Sequence, residues 1–229
     1  MADTKTVTIF GASGRVGVRT VEAAMARGWT VRAVEPQKID NLPDGVEMHI
    51  ADVLNDDLGP CITGADYVVS CLGVGNAPAT LASPPPLYTT GTARIVRSMQ
   101  AAKIDRIAVV SASFVETFER GPASFRATLP ALTRVFHQME EMERTLNAYN
   151  WLKWTAVRPG WIMDAPASET PVITENVIPE DLIRSRTGDI ANLIISTLAD
   201  GTWIRGKPAV ASHEEADSTS LKAVVSEIL

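Results

Sequence analysis

Three glycines near the start of the chain have the residue type and spacing that suit the binding of a phosphate group. Gly11 and Gly14 lie between a short apolar run at residues 7–10 and a segment of helical periodicity at residues 16–27, and Gly17 lies at the start of that segment. A first glycine here can make a tight turn, a second lets backbone N–H groups approach a pyrophosphate, and a third lets the helix lie close to the strand. The helix N-terminus adds a partial positive charge that favours an anion. The pattern therefore predicts a dinucleotide site whose loop contacts come from Gly11, Ser13, Gly14, Arg15 and Val16.

Charged residues near the end of the second predicted strand bear on the choice between NAD and NADP. Glu35 follows Gly17 at close to the ~20 residues expected for an acidic group that binds the ribose hydroxyls. A carboxylate there would repel a 2′-phosphate and so favours NAD. Arg15 and Lys38 favour NADP, because either could reach that phosphate. All three side chains could also be ordinary solvated charges, and the balance favours NAD.

Two later strand ends complete the predicted cofactor site. Asp52 and Val53 follow the third predicted strand, where Asp52 is placed to accept a hydrogen bond from the adenine amino group or, alternatively, to cap a turn. Leu72 and Gly73 end the fourth, where a glycine lets the backbone approach a ribose or the nicotinamide.

Short apolar strands that alternate with helices predict the fold. The predicted strands cover residues 7–10, 30–34, 46–50, 67–72, 107–110, 154–157 and 209–211, and the helices cover 16–27, 89–102, 132–148, 189–198 and 219–228. Strands that are apolar on nearly every residue are typical of a parallel sheet covered on both faces. Right-handed crossovers then give an α/β fold with a doubly wound parallel sheet of the Rossmann type. We expect one domain over residues 1–229, with a small irregular substrate-side segment around 159–187.

Bulk composition narrows the class of protein. The net charge of -6 argues against nucleic acid as a partner, since phosphate backbones need a basic face. The two cysteines, Cys61 and Cys71, form no disulfide framework and no metal spacing, so we expect both in or near the core and no bound metal. The N-terminus lacks the regions of a signal peptide, and no apolar run approaches the ~20 residues that span a membrane. We expect a cytoplasmic protein, monomeric or a small homo-oligomer, that acts on a small molecule.

Six short motifs together resemble one known family. They are IFGASG at residues 9–14, ADVL at 51–54, CLG at 71–73, GTARIV at 91–96, VSASF at 110–114 and AVRPG at 156–160. This set resembles the atypical short-chain dehydrogenase/reductase group of NAD(P)H-binding proteins, especially the flavin reductase/biliverdin reductase B type, with NmrA-like proteins as wider relatives. The resemblance implies a cofactor laid across the strand ends, with the nicotinamide near Ser111, Ala112, Pro159 and Gly160. It also implies that a flavin-like or other planar substrate stacks on the nicotinamide.

Three positions depart from the pattern of that family. The family often has an arginine just after the second strand, whereas Glu35 and Pro36 stand here, so a preference for NADP does not carry over. Ala112 replaces a serine of the family's reductase, and Trp161 replaces a histidine. Polar groups are then left only at Ser111 and Ser113, either of which could hydrogen-bond a reacting oxygen. The remaining neighbours predict an apolar, aromatic substrate pocket: Phe114, Phe118, Trp161 and Met163.

Two other patterns favour ordinary roles over catalytic ones. Tyr149 and Lys153 have the Tyr-x-x-x-Lys spacing of short-chain dehydrogenases, in which both side chains share one helix face. Here the span reads as a helix-to-strand turn, so we interpret the spacing as coincidence. His137 lies on the long predicted helix and could reach a pocket, but an exposed helix position is the simpler interpretation.

These observations leave three hypotheses about function. In the first, the protein is an NAD(P)-dependent oxidoreductase that passes hydride to a planar, flavin- or quinone-like, or carbonyl substrate. In the second, it is a non-catalytic dinucleotide sensor or scaffold of the NmrA-like kind, which Ala112 and Trp161 favour. In the third, it is an isomerase or epimerase that retains its NAD.

Overall fold

An eight-stranded sheet forms the centre of the computed structural model, which describes residues 4–40, 42–75, 77–117 and 129–215. Its strands are β1 (Thr6–Phe10), β2 (Thr30–Glu35), β3 (Glu47–Ile50), β4 (Tyr67–Ser70), β5 (Arg106–Val110), β6 (Lys153–Pro159), β8 (Val172–Glu175) and β10 (Pro208–Ala211). A separate two-stranded sheet joins β7 (Trp161–Met163) to β9 (Arg184–Arg186).

Helices connect most of the parallel strands. They are α1 (Arg15–Ala26), α2 (Gly59–Ile62), α3 (Pro78–Ala82), α4 (Thr92–Ala102), α5 (Leu129–Ala148) and α6 (Thr187–Ala199). A π-helical turn at Leu87–Gly91 leads into α4, and a 3-10 turn at Ser113–Val115 follows β5. No helix in the described part of the chain is long and apolar enough to cross a membrane.

The strand order confirms the predicted fold class. It runs β3-β2-β1-β4-β5-β6-β10-β8, and every neighbouring pair is parallel except β10 with β8. The order reverses between β1 and β4, where a Rossmann-like, doubly wound sheet leaves a crevice at the carboxyl ends of its strands. The glycine-rich loop leaves β1 at this reversal, so the topology puts the predicted phosphate site at the crevice.

Alternating side chains of the strands build a core on each face of the sheet. In β1, Val7 and Ile9 lie in a cluster with apolar residues of α1 and α6, whereas Phe10 lies in the cluster that contains Ile95 of α4 and Met142 of α5. Successive side chains of a strand point to opposite faces, so a run of apolar residues can serve both layers. Both cysteines are free and buried, as predicted.

Five sequence predictions are corrected or left open. Residues 159–187 are only partly irregular, because they contain β7, β8 and β9, whose partners are distant in sequence and leave no local periodicity. The predicted helix 89–102 begins with a π-helical turn, and the fourth strand ends at Ser70 rather than residue 72. The predicted helix at residues 219–228 and Phe118 lie outside the described residues.

Candidate functional site

Two of the three loop glycines are required by the fold itself. Gly11 has a φ of +74°, and a Cβ there would lie 2.7 Å from the carbonyl oxygen of Cys71. A Cβ on Gly17 would lie 2.0 Å from the carbonyl oxygen of Gly11. Side chains are excluded at both positions, because the loop passes directly over the end of β4 and α1 starts directly against the loop.

Gly14 is different, because the protein's own backbone does not demand a glycine there. Its φ of -66° suits any residue, and a Cβ would meet only the Gly11 carbonyl oxygen, at 3.4 Å. Gly14 is the N-cap of α1, yet no side chain caps this helix and its first turn holds no acidic residue. The glycine leaves space at an uncapped helix N-terminus. A dinucleotide pyrophosphate fits this space, because its oxygens would accept hydrogen bonds from the free backbone N–H groups of the first helical turn.

A cavity of about 580 Å³ runs from this loop across the carboxyl ends of the parallel strands. It brings together most of the predicted site. From the loop and the adjacent strand ends it is lined by Gly11, Ser13, Gly14, Arg15, Val16, Glu35, Asp52 and Val53. From the later strand ends it is lined by Leu72, Gly73, Ser111, Ala112, Phe114, Pro159, Gly160 and Trp161.

Three predicted site residues do not line the cavity. The side chain of Lys38 is 75% exposed and lies 3.6 Å from the Asp40 carboxylate. Ser113 is fully buried, and its hydroxyl accepts a hydrogen bond from the backbone N–H of Ile178 at 3.0 Å. Met163 lies in β7 opposite Arg186 of β9. The 3-10 turn after β5 places Ser113, and the β7–β9 pair places Met163, which a pattern along one strand does not reveal.

Glu35 contacts the glycine-rich loop directly. Its Oε1 atom accepts a hydrogen bond of 2.6 Å from the backbone N–H of Ser13. The carboxylate therefore lies at the cavity wall beside the loop, where it can also accept hydrogen bonds from ribose hydroxyls. A 2′-phosphate in the same place would be repelled.

The carboxylate of Asp52 is occupied within its own turn. Its Oδ1 atom accepts from the backbone N–H of Leu54 at 2.8 Å, and its Oδ2 atom accepts from the Asn55 side chain at 2.6 Å. The guanidinium of Arg94 holds the same turn by donating to the carbonyl oxygen of Val53 at 2.9 Å. The turn-capping alternative for Asp52 is thus the one that the geometry supports, although the residue also lines the cavity.

The hydroxyl of Ser111 belongs to a buried charged network behind the cavity. Ser111 Oγ donates to Glu143 Oε1 at 2.7 Å, and the Arg158 guanidinium donates to both Glu143 oxygens at 2.8 and 2.5 Å. Arg158 also lies 2.6 Å from the Glu116 carboxylate, and the Lys207 ammonium lies 3.2 Å from Glu143. Because an ionised carboxylate only accepts, this contact fixes the direction of the Ser111 proton.

The network also fixes the charge of Glu143. Burial by itself would raise the pKa of this carboxyl, but the hydrogen bonds and charge of Arg158, with smaller effects of Ser111 and Lys207, hold the pKa below its usual value. Glu143 is therefore ionised near neutral pH, and Ser111 presents only its lone pairs to the cavity.

Beyond the strand ends, the cavity opens into a space walled by apolar side chains, here called the apolar chamber. Its walls are Leu81, Leu87, Phe114, Leu132, Val135, Phe136, Met139 and Trp161. Phe114 and Phe136 pack with their ring centroids 5.7 Å apart. The predicted site residues did not include those of α5, although residues 132, 135, 136 and 139 repeat with helical spacing and could have indicated them.

Tyr88 was also missed, and it lines the cavity with only 5% of its surface exposed. Burial raises the pKa of Tyr88 to about 12, against a smaller lowering by a backbone hydrogen bond from Val74. The side chain is therefore a neutral phenol at physiological pH. No local signal marked it, because it precedes the predicted helix in a proline-rich stretch.

The structure supports the ordinary roles expected for Tyr149, Lys153 and His137. Tyr149 follows the end of α5, and Lys153 begins β6 and pairs with Asp105 at 2.7 Å. His137 has a side chain that is 72% exposed and lies beside Glu140 on the outer face of α5. None of these side chains lines the cavity.

Solved structures with this fold cover almost the whole chain. An oxidoreductase, ylbE, from Lactococcus lactis matches with a TM-score of 0.74 and 18% identity, over 96% of this chain and 97% of that one. A candidate NADH-flavin reductase from Streptococcus pneumoniae matches with a TM-score of 0.70 and 19% identity, over 91% and 100%. A candidate NAD-dependent epimerase/dehydratase from Bacillus halodurans matches with a TM-score of 0.74 and 18% identity, over 98% and 100%. At these identities the likeness establishes the fold.

The family assignment rests on the sequence match. A family model described as NAD(P)H-binding matches residues 11–201, which runs from the first loop glycine to the end of α6. The matched span contains the loop, the strand ends and the apolar chamber. The resemblance to NAD(P)H-binding proteins is thereby confirmed, and the chain belongs to the NAD(P)H-binding family.

Proposed function

We propose that the protein is an NAD-dependent oxidoreductase that acts on a small, planar acceptor such as a quinone, a flavin or an aromatic carbonyl compound. The observation that carries this proposal is the continuity of the cavity, which joins the glycine-rich loop to the apolar chamber. A reduced dinucleotide supplies hydride when bound, and the protein supplies the binding surfaces, the orientation and the exclusion of water.

The walls of the chamber support a planar and apolar acceptor. Aromatic rings at Trp161, Phe114 and Phe136 offer flat faces, and stacking adds ~0.5–1.5 kcal/mol beyond burial. The charged residues that line the described cavity are Arg15, Glu35 and Asp52, which lie in the glycine-rich loop segment, at the end of β2 and after β3. The chamber end thus suits an uncharged ring system.

The contact between Glu35 and Ser13 supports NAD as the cofactor. The carboxylate stands at the cavity wall beside the loop, and Lys38, a candidate partner for a 2′-phosphate, lies outside the cavity. Arg15 lines the cavity and is exposed, so it remains able to contact an anion. We expect NADH to bind more tightly than NADPH.

The test is oxidation of NADH and NADPH, followed by absorbance, against 1,4-naphthoquinone, riboflavin and benzaldehyde. The proposal expects turnover with at least one acceptor, lost in a Gly14→Val variant that retains its melting temperature. Tight NADH binding without turnover of any acceptor would overturn it. That outcome would favour a non-catalytic dinucleotide sensor, which the commitment of the Ser111 proton to Glu143 independently favours.

A further inference from the structure

Tyr88 occupies an unusual backbone element at the junction of the two halves of the cavity. It lies in the π-helical turn Leu87–Gly91, which is closed by a hydrogen bond of 3.1 Å from the Gly91 N–H to the Pro86 carbonyl oxygen. π-Helical turns are rare and often occur at functional sites. The Tyr88 hydroxyl oxygen is 3.9 Å from the position that a Cβ on Gly73 would take, at the end of β4.

The phenol of Tyr88 is available as a hydrogen-bond donor. Burial keeps the group protonated at neutral pH, and a phenol has one proton that it can donate. The side chain lines the cavity, with its hydroxyl oxygen beside the backbone of Gly73. Tyr88 can therefore donate to an oxygen of a molecule bound in the cavity.

The other hydroxyl groups of the described cavity are badly placed for this task. Ser111 donates its proton to Glu143. Ser13 belongs to the glycine-rich loop, where its N–H contacts Glu35 at the far end from the chamber. Of the hydroxyl-bearing side chains that line the cavity in the described ranges, Tyr88 is the one next to both Leu87 of the chamber and Gly73 of the strand end.

We infer that the Tyr88 hydroxyl donates a hydrogen bond to a carbonyl or quinone oxygen of the ring compound bound in the apolar chamber. The inference rests on the proposed function and narrows it to acceptors that carry such an oxygen near the Gly73 end of the chamber. Tyr88 is then the residue that selects oxygenated rings over plain aromatic hydrocarbons in an otherwise apolar space.

A binding experiment tests this without requiring turnover. The protein saturated with oxidised NAD is titrated with 1,4-naphthoquinone and, separately, with naphthalene, which has the same ring system without the oxygens. Tyr88→Phe should weaken naphthoquinone binding by about 3- to 10-fold, the usual effect of one hydrogen bond, and leave naphthalene binding unchanged. The infrared carbonyl stretch of bound naphthoquinone should lie lower in the wild-type protein than in the variant.

Tyr149→Phe is the matched control, because that tyrosine lies outside the cavity and should leave both ligands unaffected. Equal naphthoquinone affinity and an equal carbonyl frequency in wild type and Tyr88→Phe, with equal melting temperatures, would overturn the inference while leaving the oxidoreductase proposal intact. Failure of either ring compound to bind the wild-type protein would instead count against the chamber as a site for planar acceptors, and so against both. If Tyr88→Phe unfolds, the carbonyl frequency of naphthoquinone bound to the wild-type protein is compared with its frequency in hexane. A lower frequency in the protein supports the hydrogen bond, and an equal frequency overturns the inference.

Discussion

The backbone N–H of Ser13 donates to the side chain of Glu35 across 2.6 Å, and so links the loop after β1 to the last residue of β2. The two strands, β1 and β2, are neighbours in the sheet. Their contact puts a carboxylate beside the loop that we propose as the binding site of the cofactor phosphates, and we expect a single substitution at Glu35 to change the choice of cofactor.

Glu35→Arg should shift the preference toward NADPH by more than tenfold, equivalent to about 1.4 kcal/mol or more. The substitution removes the carboxylate that repels a 2′-phosphate and supplies a guanidinium that can bind it. Fluorescence titration with NADH and NADPH measures the ratio of dissociation constants. Lys38→Ala is the control and should leave the ratio unchanged, since that side chain is 75% exposed. A wild-type protein that already binds NADPH much more tightly would contradict this assignment.

Gly14→Val should abolish dinucleotide binding with little loss of stability. The backbone at Gly14 accepts a side chain, and only the space kept for the pyrophosphate is filled. Gly17→Val gives the contrast, because its Cβ would lie 2.0 Å from the Gly11 carbonyl oxygen and must disturb the fold. Titration with NADH and thermal unfolding of both variants separate the two effects. Unchanged NADH affinity in Gly14→Val would exclude the loop as the phosphate site.

Trp161→Ala should weaken the binding of ring compounds while NADH affinity and melting temperature stay nearly unchanged. Trp161 is half-buried and lines the cavity. Trp154→Ala is the matched control, because Trp154 is only 2% exposed and its loss should cost ~3–5 kcal/mol through the cavity left in the core. The measurements are naphthalene titration and thermal unfolding. A Trp161→Ala protein as destabilised as Trp154→Ala, with every ligand weakened in proportion, would make Trp161 a core residue.

Glu143→Gln should destabilise the protein at neutral pH, because it leaves Arg158 buried beside a neutral partner. Removal of one member of a buried ion pair lowers the free energy of unfolding by ~3–5 kcal/mol. The loss in Glu143→Gln should be smaller than this, because the glutamine can keep some of the hydrogen bonds. Glu141→Gln, at an exposed position of the same helix, should have no comparable effect. Urea unfolding at neutral pH measures the difference. Equal stability of the two variants would show that Arg158 is satisfied without Glu143.

The same pair predicts how stability depends on pH. The pKa of Glu143 is lower in the folded protein than its ordinary value of 4.5. Its stabilisation is therefore complete above the unfolded-state pKa and is lost as the pH falls through the lower folded-state pKa. The gap in stability between wild type and Glu143→Gln should narrow on acidification from about pH 5 to about pH 2. A gap that stays constant over this range would contradict an ionised Glu143.

Local sequence was sufficient to predict the fold class and most of the residues that line the cavity proposed to hold the cofactor. A glycine between a strand and a helix has the same steric consequence in any Rossmann-like domain, and parallel strands end at one edge of the sheet. The loop residues and the strand ends at Asp52, Gly73 and Gly160 therefore met in one cavity, as the pattern predicted. A run of apolar residues in each strand was enough to place the sheet between two layers of helices.

Only the tertiary structure decided what the polar groups of that site can do. Ser111 and Ser113 lie two residues apart in one motif, but their hydroxyl groups have different partners. Ser111 donates to Glu143, 32 residues away, and Ser113 accepts from the backbone N–H of Ile178, 65 residues away. Tyr88 lines the cavity from a π-helical turn that no sequence periodicity predicted. Within residues 159–187, β7 forms because it pairs with β9, and β8 forms because it pairs with β10. A side chain's periodic position predicts which face it occupies, but the direction of its proton depends on the partner that folding brings within hydrogen-bond distance.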